Sequence, residues 1–248
     1  MARDEVRPRE SAPHESRGGL GQQPLAPDPW PLAPASQPAY PLVLTNLARV
    51  RCVVIGGGAV AERKVEELLD GGARPLVISP ELSERLALWR LKGTIACHKR
   101  PYQPGDLAGA FLAIAAAGDR SVNQAVALEG EALGILVNVC DDPAAGNFHT
   151  VATVRRADLL LTVSTGGASP ALAARIRREL AEAYGPGYKR LLPLLRALRQ
   201  ACGPRLDAGR RQEFWRELLA APLLEWLESD AEDRIWALAG SLCQRLSA

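Results

Sequence analysis

The stretch VRCVVIGGGAVAERKVEELLDGGA, Val50 to Ala73, decides the fold. An apolar run turns through three glycines into a pattern with helical periodicity. Gly56, Gly58 and Ala61 match G-x-G-x-x-A, in which the glycines permit a tight turn and a close approach of pyrophosphate, and the small third residue lets helix and strand pack closely. The amides at a helix N-terminus also favour phosphate. The stretch therefore predicts a dinucleotide-binding turn, with a purely structural glycine turn as the alternative.

Strand and helix patterns alternate strictly from this stretch to Asp142. The predicted strands are RCVVIG, RPLVIS, TIACHKR, AFLAIAAA and ILVNVCD, and helical patterns separate most of them. In the first helix, Val60, Lys64 and Leu68 fall on a shared face. Such alternation predicts an α/β fold with a doubly wound parallel sheet and right-handed crossovers.

The pattern changes after Asp142. NFHTVATVRR and DLLLTVSTGG predict two strands joined by a tight RRAD connection, hence antiparallel. A helix is predicted from SPALAARIRRELAEAY, with Ser169 as N-cap and Pro170 in the first helical position. The predicted organisation is a disordered Pro-rich tail (1–39), a dinucleotide-binding domain (40–147), a small α+β domain (148–186) and a helical C-terminal domain (187–248).

The second predicted strand lacks the acid that usually binds the cofactor ribose. It continues as Ile78-Ser79-Pro80-Glu81, where Ser79 or Glu81 is placed to reach a ribose hydroxyl and Glu81 is otherwise an ordinary acid of a first helical turn. No arginine follows directly to bind a 2′-phosphate, which favours NAD over NADP. The predicted cofactor-binding residues are Gly56, Gly58, Ala59, Val60, Ser79, Pro80 and Glu81.

Composition excludes several classes of partner. A formal net charge of +2 offers no polyanion-binding surface, so no nucleic acid is expected. The longest apolar runs are too short to span a bilayer, and no apolar leader opens the chain. Five cysteines without a C-x-x-C pair predict neither a disulfide framework nor a zinc site, so no metal ligands are assigned. A cytoplasmic location is therefore expected.

Three motifs together identify a family resemblance. VIGGGAVAERK, VNVCDDPAAGNFH (137–149) and LLLTVSTGGASPALAARIRREL (159–180), at these spacings, resemble the precorrin-2 dehydrogenase/sirohydrochlorin ferrochelatase family, the siroheme synthase N-terminal module. The resemblance implies a Rossmann domain, a strand-exchanging dimerisation domain over 148–186 and a helical C-terminal domain, assembled as a homodimer. It also implies NAD⁺-dependent oxidation of the polycarboxylate tetrapyrrole precorrin-2 to sirohydrochlorin, followed in many members by Fe²⁺ insertion.

The resemblance places the catalytic aspartate on Asp141. This residue follows the ILVNV strand, so it should lie at the carboxyl edge of the sheet, where doubly wound folds bind ligands. Hydride loss from the substrate must be coupled to loss of a proton, and a carboxylate there can serve as the base. The alternative interpretation is that Asp141-Asp142-Pro143 is simply a polar turn, and Asp142 is interpreted as a turn residue in either case.

The STGGASP loop is predicted to bind substrate carboxylates. Its amides and hydroxyls precede a capped helix, and the assigned residues are Ser164, Thr165, Gly166 and Gly167. Arg155, Arg156 and Arg175 are candidates for further carboxylate pairing. His149 is a candidate proton shuttle or iron contact, with a structural hydrogen-bonding role as the alternative.

Residues 144–152 depart from the family pattern, which leaves chelation open while the dehydrogenase residues are in place. Two rival functions also stay open. One is a Rossmann oxidoreductase acting on another anionic substrate, and the other is a non-enzymatic NAD-sensing dimeric module.

Overall fold

The computed structural model describes residues 39–247, so the tail predicted over 1–39 lies outside the described residues except for Ala39. Five parallel strands form one sheet in the order β3-β2-β1-β4-β5. The strands are β1 (Cys52–Ile55), β2 (Leu76–Ile78), β3 (Ala96–His98), β4 (Leu112–Ala115) and β5 (Leu136–Val139), and the connecting helices are α1 (Ala59–Asp70), α2 (Glu84–Leu91) and α3 (Arg120–Leu133). The predicted doubly wound parallel sheet is confirmed.

The sheet is covered on both faces, as parallel sheets require. Val54 packs with the buried side chains of α1 and α2, such as Val65 and Leu86, in one apolar cluster. Val53 packs on the opposite face with Val126 of α3 in a second cluster. The short apolar runs of the sequence are therefore strands buried on both sides.

Helix α1 buries a face that differs slightly from the predicted one. Ala61, Lys64, Val65 and Leu68 are buried. Val60, predicted to share this face, is 44% exposed, whereas its neighbour Ala61 is fully buried. The buried face of the first turn is therefore set by Ala61, one position further along the helix than predicted.

The outer edge of β5 is closed by a side chain. Asn147 Oδ1 accepts from Val137 N–H at 2.8 Å, and Asn147 Nδ2 donates to Ile135 O at 2.8 Å. The backbone N–H of Asn147 donates to Val137 O at 2.9 Å. This residue thus takes the place that a neighbouring strand would occupy.

A separate two-stranded unit follows the sheet. Strands β6 (Ala152–Arg156) and β7 (Leu159–Val163) are antiparallel, as predicted, and the connection between them includes Ala157 at φ +53°. Helix α4 (Pro170–Ala183) starts at the predicted cap, where Ser169 Oγ accepts from Leu172 N–H at 3.2 Å. The apolar residues of β6, β7 and α4 are mostly half-buried or exposed.

The C-terminal region is helical, as predicted. Its helices are α5 (Tyr188–Cys202), α6 (Ala208–Ala220), α7 (Leu223–Glu228) and α8 (Glu232–Ser247). They enclose a core of their own that includes Leu198, Phe214, Leu218 and Ile235. The elements fall within the predicted domain limits, whose exact positions stay predictions.

Among the helices described over residues 39–247, none combines the length and the apolar content that a membrane span requires.

Gly130 lets α3 approach β5. A Cβ built there would lie 2.1 Å from Val137 Cγ2, a branched side chain with little freedom. Alanine gains about 1 kcal/mol in helix propensity, but overpacking costs about 1–3 kcal/mol. We expect Gly130→Ala to lower the free energy of unfolding in urea. In a Val137→Ala background the same change should raise it, and stabilisation in both backgrounds would contradict the close packing.

Candidate functional site

The glycine turn between β1 and α1 is fixed by its contacts. Gly56 has φ +126°, and a Cβ there would lie 2.2 Å from Ala116 O at the end of β4. Its N–H donates to Ile78 O at 3.0 Å. Only glycine satisfies both the positive φ and the close approach. The first glycine of the motif therefore joins the carboxyl ends of β1, β2 and β4.

The other two glycines of the turn have different roles. A Cβ at Gly57 would lie 1.9 Å from Glu81 O, whereas a Cβ at Gly58 would meet no atom within 4 Å. Gly57 is thus required by the protein's own packing, while Gly58 borders open space where a pyrophosphate can approach the backbone. The motif did not single out Gly57, although the run of three glycines was its signal.

The first turn of α1 offers amide donors. Gly58 is the N-cap and supplies no side-chain hydrogen bond. Glu62 N–H donates to Gly58 O at 2.9 Å, so the amides of Ala59 and Val60 precede the intrahelical ladder. Both residues are exposed, and Ala61 behind them is fully buried against the sheet. This arrangement fits a bound phosphate at a helix N-terminus.

The loop after β2 lies against the glycine turn. Ser79 is buried, its N–H donates to His98 O at 3.2 Å, and its Oγ would lie 2.7 Å from a Cβ on Gly57. Pro80 and Glu81 are exposed beside it. The predicted cofactor residues are therefore gathered at the carboxyl ends of β1 and β2, and their contact with a cofactor stays a prediction.

Asp141 is held by a residue that sequence reasoning missed. Asn123, which is 1% exposed, donates from Nδ2 to Asp141 Oδ1 at 2.9 Å and to Ala117 O at 3.0 Å. Its Oδ1 accepts from Ala117 N–H at 2.9 Å. Because Ala116 also touches Gly56, a continuous set of contacts runs from the glycine turn to the predicted catalytic carboxylate.

Cys140 and Asp142, which flank Asp141, show no sign of a catalytic role. Asp142 pairs with Arg120 at 3.1 Å on the surface, in keeping with a turn residue. Burial raises the pKa of the Cys140 thiol, although the charges of Lys64 and Arg63 oppose the shift, so this thiol stays protonated at neutral pH. Within the described residues no hydrogen bond engages Asp141 Oδ2. The carboxylate therefore keeps a free oxygen for proton transfer.

The STGG loop is not brought to this site within one chain. Ser164 Oγ accepts from Gly166 N–H, and Thr165 Oγ1 accepts from Ser169 N–H, both at 3.2 Å, so the hydroxyls hold the loop itself. Gly166 and Gly167 have φ +60° and +83°. In the described part of the chain, no hydrogen bond joins this loop to Asp141.

Two of the three candidate arginines have hydrogen-bond partners within the chain. Arg156 donates to Tyr184 O at 3.1 Å and to Ala181 O at 3.0 Å at the end of α4. Arg175 pairs with Glu179 at 2.9 Å on the same helix. Arg155 is exposed, and the pairing of these three arginines with substrate carboxylates stays a prediction.

His149 is exposed at the end of the segment that follows β5. The next residue, Thr150, accepts a hydrogen bond from Lys64 Nζ. Among residues 39–247, no group of three or more His, Cys, Asp or Glu side chains could hold a metal ion. No residue in the described part of the chain forms a hydrogen bond with the His149 ring, and both interpretations of this residue stay open.

Replacing Asn123 tests its place in the site. Asn123→Ala should destabilise the protein by about 2–4 kcal/mol, because a half-buried backbone donor and acceptor of Ala117 each lose a partner worth about 1–3 kcal/mol. Urea denaturation measures the loss. Ser121→Ala, on the exposed first turn of the same helix, is the matched control. A loss for Asn123→Ala no larger than that of the control would contradict the predicted role.

Comparisons with known proteins agree with this geometry. A family model for NAD(P)-binding matches residues 43–152, and one for the central domain of the sirohaem biosynthesis protein matches 158–183. The siroheme synthase of Chromobacterium violaceum is 40% identical over 187 residues, 75% of this chain and 40% of the relative. That of Gluconacetobacter diazotrophicus is 38% identical over 191 residues, 74% of this chain and 40% of the relative.

A solved structure titled "SirC, precorrin-2 dehydrogenase" matches with a TM-score of 0.67 and 26% identity, covering 82% of this chain and all of that one. Fold, glycine turn and family model together define an NAD(P)-binding α/β protein. Within that class, the chain is similar to siroheme synthases and to a precorrin-2 dehydrogenase, so the family resemblance that the motifs predicted is confirmed. It spans about 40% of the length of the curated siroheme synthases that it matches.

Proposed function

We propose that this protein oxidises precorrin-2 to sirohydrochlorin with NAD⁺ in siroheme biosynthesis. The observation that carries the proposal is the set of contacts from Gly56 through Ala116, Ala117 and Asn123 to Asp141. It links a dinucleotide turn to a carboxylate with a free oxygen at the carboxyl edge of the sheet, where ligands of doubly wound folds bind.

Each residue has a defined part in the reaction. The amides of Ala59 and Val60 would hold the pyrophosphate of NAD⁺, which would supply the hydride acceptor. Asp141 Oδ2 takes the proton lost from the substrate as the hydride leaves, so the two hydrogens removed end as hydride on the cofactor and a proton on the carboxylate. Asn123 donates to Oδ1 and keeps the carboxyl group oriented.

NAD is proposed over NADP. A 2′-phosphate calls for a guanidinium beside the second strand, and the residues there are Ser79, Pro80 and Glu81. The exposed Glu81 carboxylate would repel a second phosphate.

A homodimer is proposed from the small two-stranded unit. Leu159, Leu160 and Leu161 of β7 are only half-buried, and Val151 and Leu172 are 40% and 47% exposed. A second copy that exchanges strands would cover these residues, because an isolated two-stranded sheet is marginally stable. In such a dimer, loop 164–167 of one chain can approach the cleft of the other, where its amides bind substrate carboxylates.

Fe²⁺ insertion is proposed as a second activity of the same cleft. Asp141 can take pyrrole protons as the metal enters, and Fe²⁺ is then a substrate that needs no permanent site.

We also propose that the protein acts in the cytoplasm. All five cysteines are free thiols, as is usual in a reducing compartment.

The decisive test is anaerobic incubation of the protein with precorrin-2 and NAD⁺. We expect NADH absorbance and the sirohydrochlorin spectrum to rise together, with a slower reaction when NADP⁺ replaces NAD⁺. Fe²⁺ added afterwards should give siroheme faster than the spontaneous rate. If NAD⁺ binds but precorrin-2 yields no NADH, the dehydrogenase proposal fails, and the rival oxidoreductase or NAD-sensing module takes its place.

A further inference from the structure

Lys64 occupies an unusual position on α1. Among residues 39–247 it is the only Lys, Arg, Asp or Glu that is buried, with 6% of the residue exposed. Its Nζ donates to Thr150 Oγ1 and to Glu67 Oε2, the latter at 3.0 Å. Val65 and Leu68, which flank it on the buried face, are apolar. An ordinary covering helix would carry an apolar side chain at this position too.

Burying an ammonium group costs several kcal/mol, which its hydrogen bonds must offset. The pair with Glu67 does not require burial, because the Glu67 side chain is 45% exposed and lies on the same helix. The bond to Thr150 instead directs the ammonium group away from the helix, to a residue 86 positions further along the chain. The bond to Thr150 therefore accounts for the position of Lys64.

Thr150 ends the segment 141–150, which begins with the proposed catalytic residue. Asn123 and Arg120 bind the segment to α3, at Asp141 and Asp142. The backbone of β5 binds it at Asn147, and Asn138 Nδ2 donates to Phe148 O at 3.0 Å. Among the bonds described here, only the bond from Lys64 to Thr150 ties the segment to the helix whose first amides would hold the cofactor.

We propose that Lys64 is a positioning residue for hydride transfer: its buried ammonium fixes Thr150, and with it segment 141–150, to the cofactor-binding helix. The inference rests on the proposed function. Lys64 lies more than one helical turn beyond Ala59 and Val60, so it touches neither the cofactor pyrophosphate nor the reacting atoms. It acts through the segment, by keeping Asp141 and the chain leading into β6 in register with α1.

Lys64 has two hydrogen-bond partners, and replacing each in turn separates the positioning role of Lys64 from the neutralisation of its charge. Thr150→Val removes the hydroxyl and keeps the size and branching of the side chain, while Glu67→Gln removes the carboxylate and keeps the bond to Thr150. Misplacement of reacting groups by about 1 Å costs about 10²-fold in rate, so we expect Thr150→Val to lower kcat about 10- to 100-fold. KM for NAD⁺ should change less than about twofold. Thr150→Ser keeps the hydroxyl, so its kcat should be close to that of the wild type. The kcat of Glu67→Gln should also be close to that of the wild type.

Hydrogen exchange of residues 141–151 provides a readout that does not depend on substrate. NAD⁺ should slow exchange there in the wild type and in Glu67→Gln, and much less in Thr150→Val. Equal kcat and equal protection in Thr150→Val and wild type would overturn the inference, as would a loss of kcat equal in both variants. If the wild type forms no NADH from precorrin-2, the proposed function fails, and the exchange data still decide whether Lys64 couples the helix to the segment.

Discussion

Asp141→Asn should reduce NADH formation from precorrin-2 by about 10²–10⁴-fold, the contribution typical of a positioned general base. Asparagine has the same shape and its Oδ1 can still accept from Asn123 Nδ2, so the site geometry is kept. The amide cannot take the proton that leaves with the hydride. The loss should therefore fall on kcat, while NAD⁺ affinity and thermal stability stay close to wild type.

Asp142→Asn is the matched control. The Asp142 carboxylate pairs with Arg120, whose side chain is 77% exposed, and such surface pairs contribute about 0–1 kcal/mol. Anaerobic assays of both variants, with NAD⁺ titrations beside them, separate chemistry from binding. Near-normal turnover by Asp141→Asn, or an equal loss in both variants, would remove Asp141 from its role as base.

Gly57→Ala should be the most destabilising single change in the glycine turn. The added methyl group would lie 1.9 Å from the carbonyl oxygen of Glu81, a backbone atom that cannot rotate away. We expect a loss of about 3 kcal/mol or more, at the upper end for overpacking. NAD⁺ binding should weaken as well, since the loop that carries Ser79 must shift.

Gly58→Ala provides the contrast one residue further on. Gly58 has φ −85° and ψ −170°, which alanine adopts freely, and no atom lies within 4 Å of its added Cβ. Stability should change by less than about 0.5 kcal/mol. The methyl group would occupy the space of the pyrophosphate, so affinity for NAD⁺ should fall about tenfold or more, equivalent to about 1.4 kcal/mol. Urea denaturation and NAD⁺ titration test the pair, and the opposite pattern would contradict the assignment.

The fold could be read from sequence wherever local patterns agree with the final packing. The apolar runs of β1 and β4 form strands because they are buried on both sides, as for Val53 and Val54. Ser169 caps α4 because its hydrogen-bond partner, Leu172 N–H, belongs to the helix that directly follows it. Such features depend on neighbours in the chain.

The rest depends on contacts between distant residues. Asn123 is an ordinary polar residue of α3 until the fold brings it to Asp141, 18 residues later. Gly57 is one glycine among three until the loop at Glu81 packs over it. Arg156 is one arginine among many in the sequence until the fold brings carbonyl oxygens at the end of α4 to its guanidinium. Neither the periodicity nor the spacing of residues in the sequence indicates these hydrogen-bond and packing partners.

The closure of β5 by Asn147 has a consequence for solubility. An unpaired strand edge presents free backbone groups on which another chain can add a strand, and this is a common start of aggregation. Asn147 occupies these groups on β5, and it belongs to the segment that begins with Asp141. The segment that carries the proposed catalytic residue thus also shields the β5 edge of the sheet from self-association. Loosening this segment should promote precipitation even where Asp141 is intact.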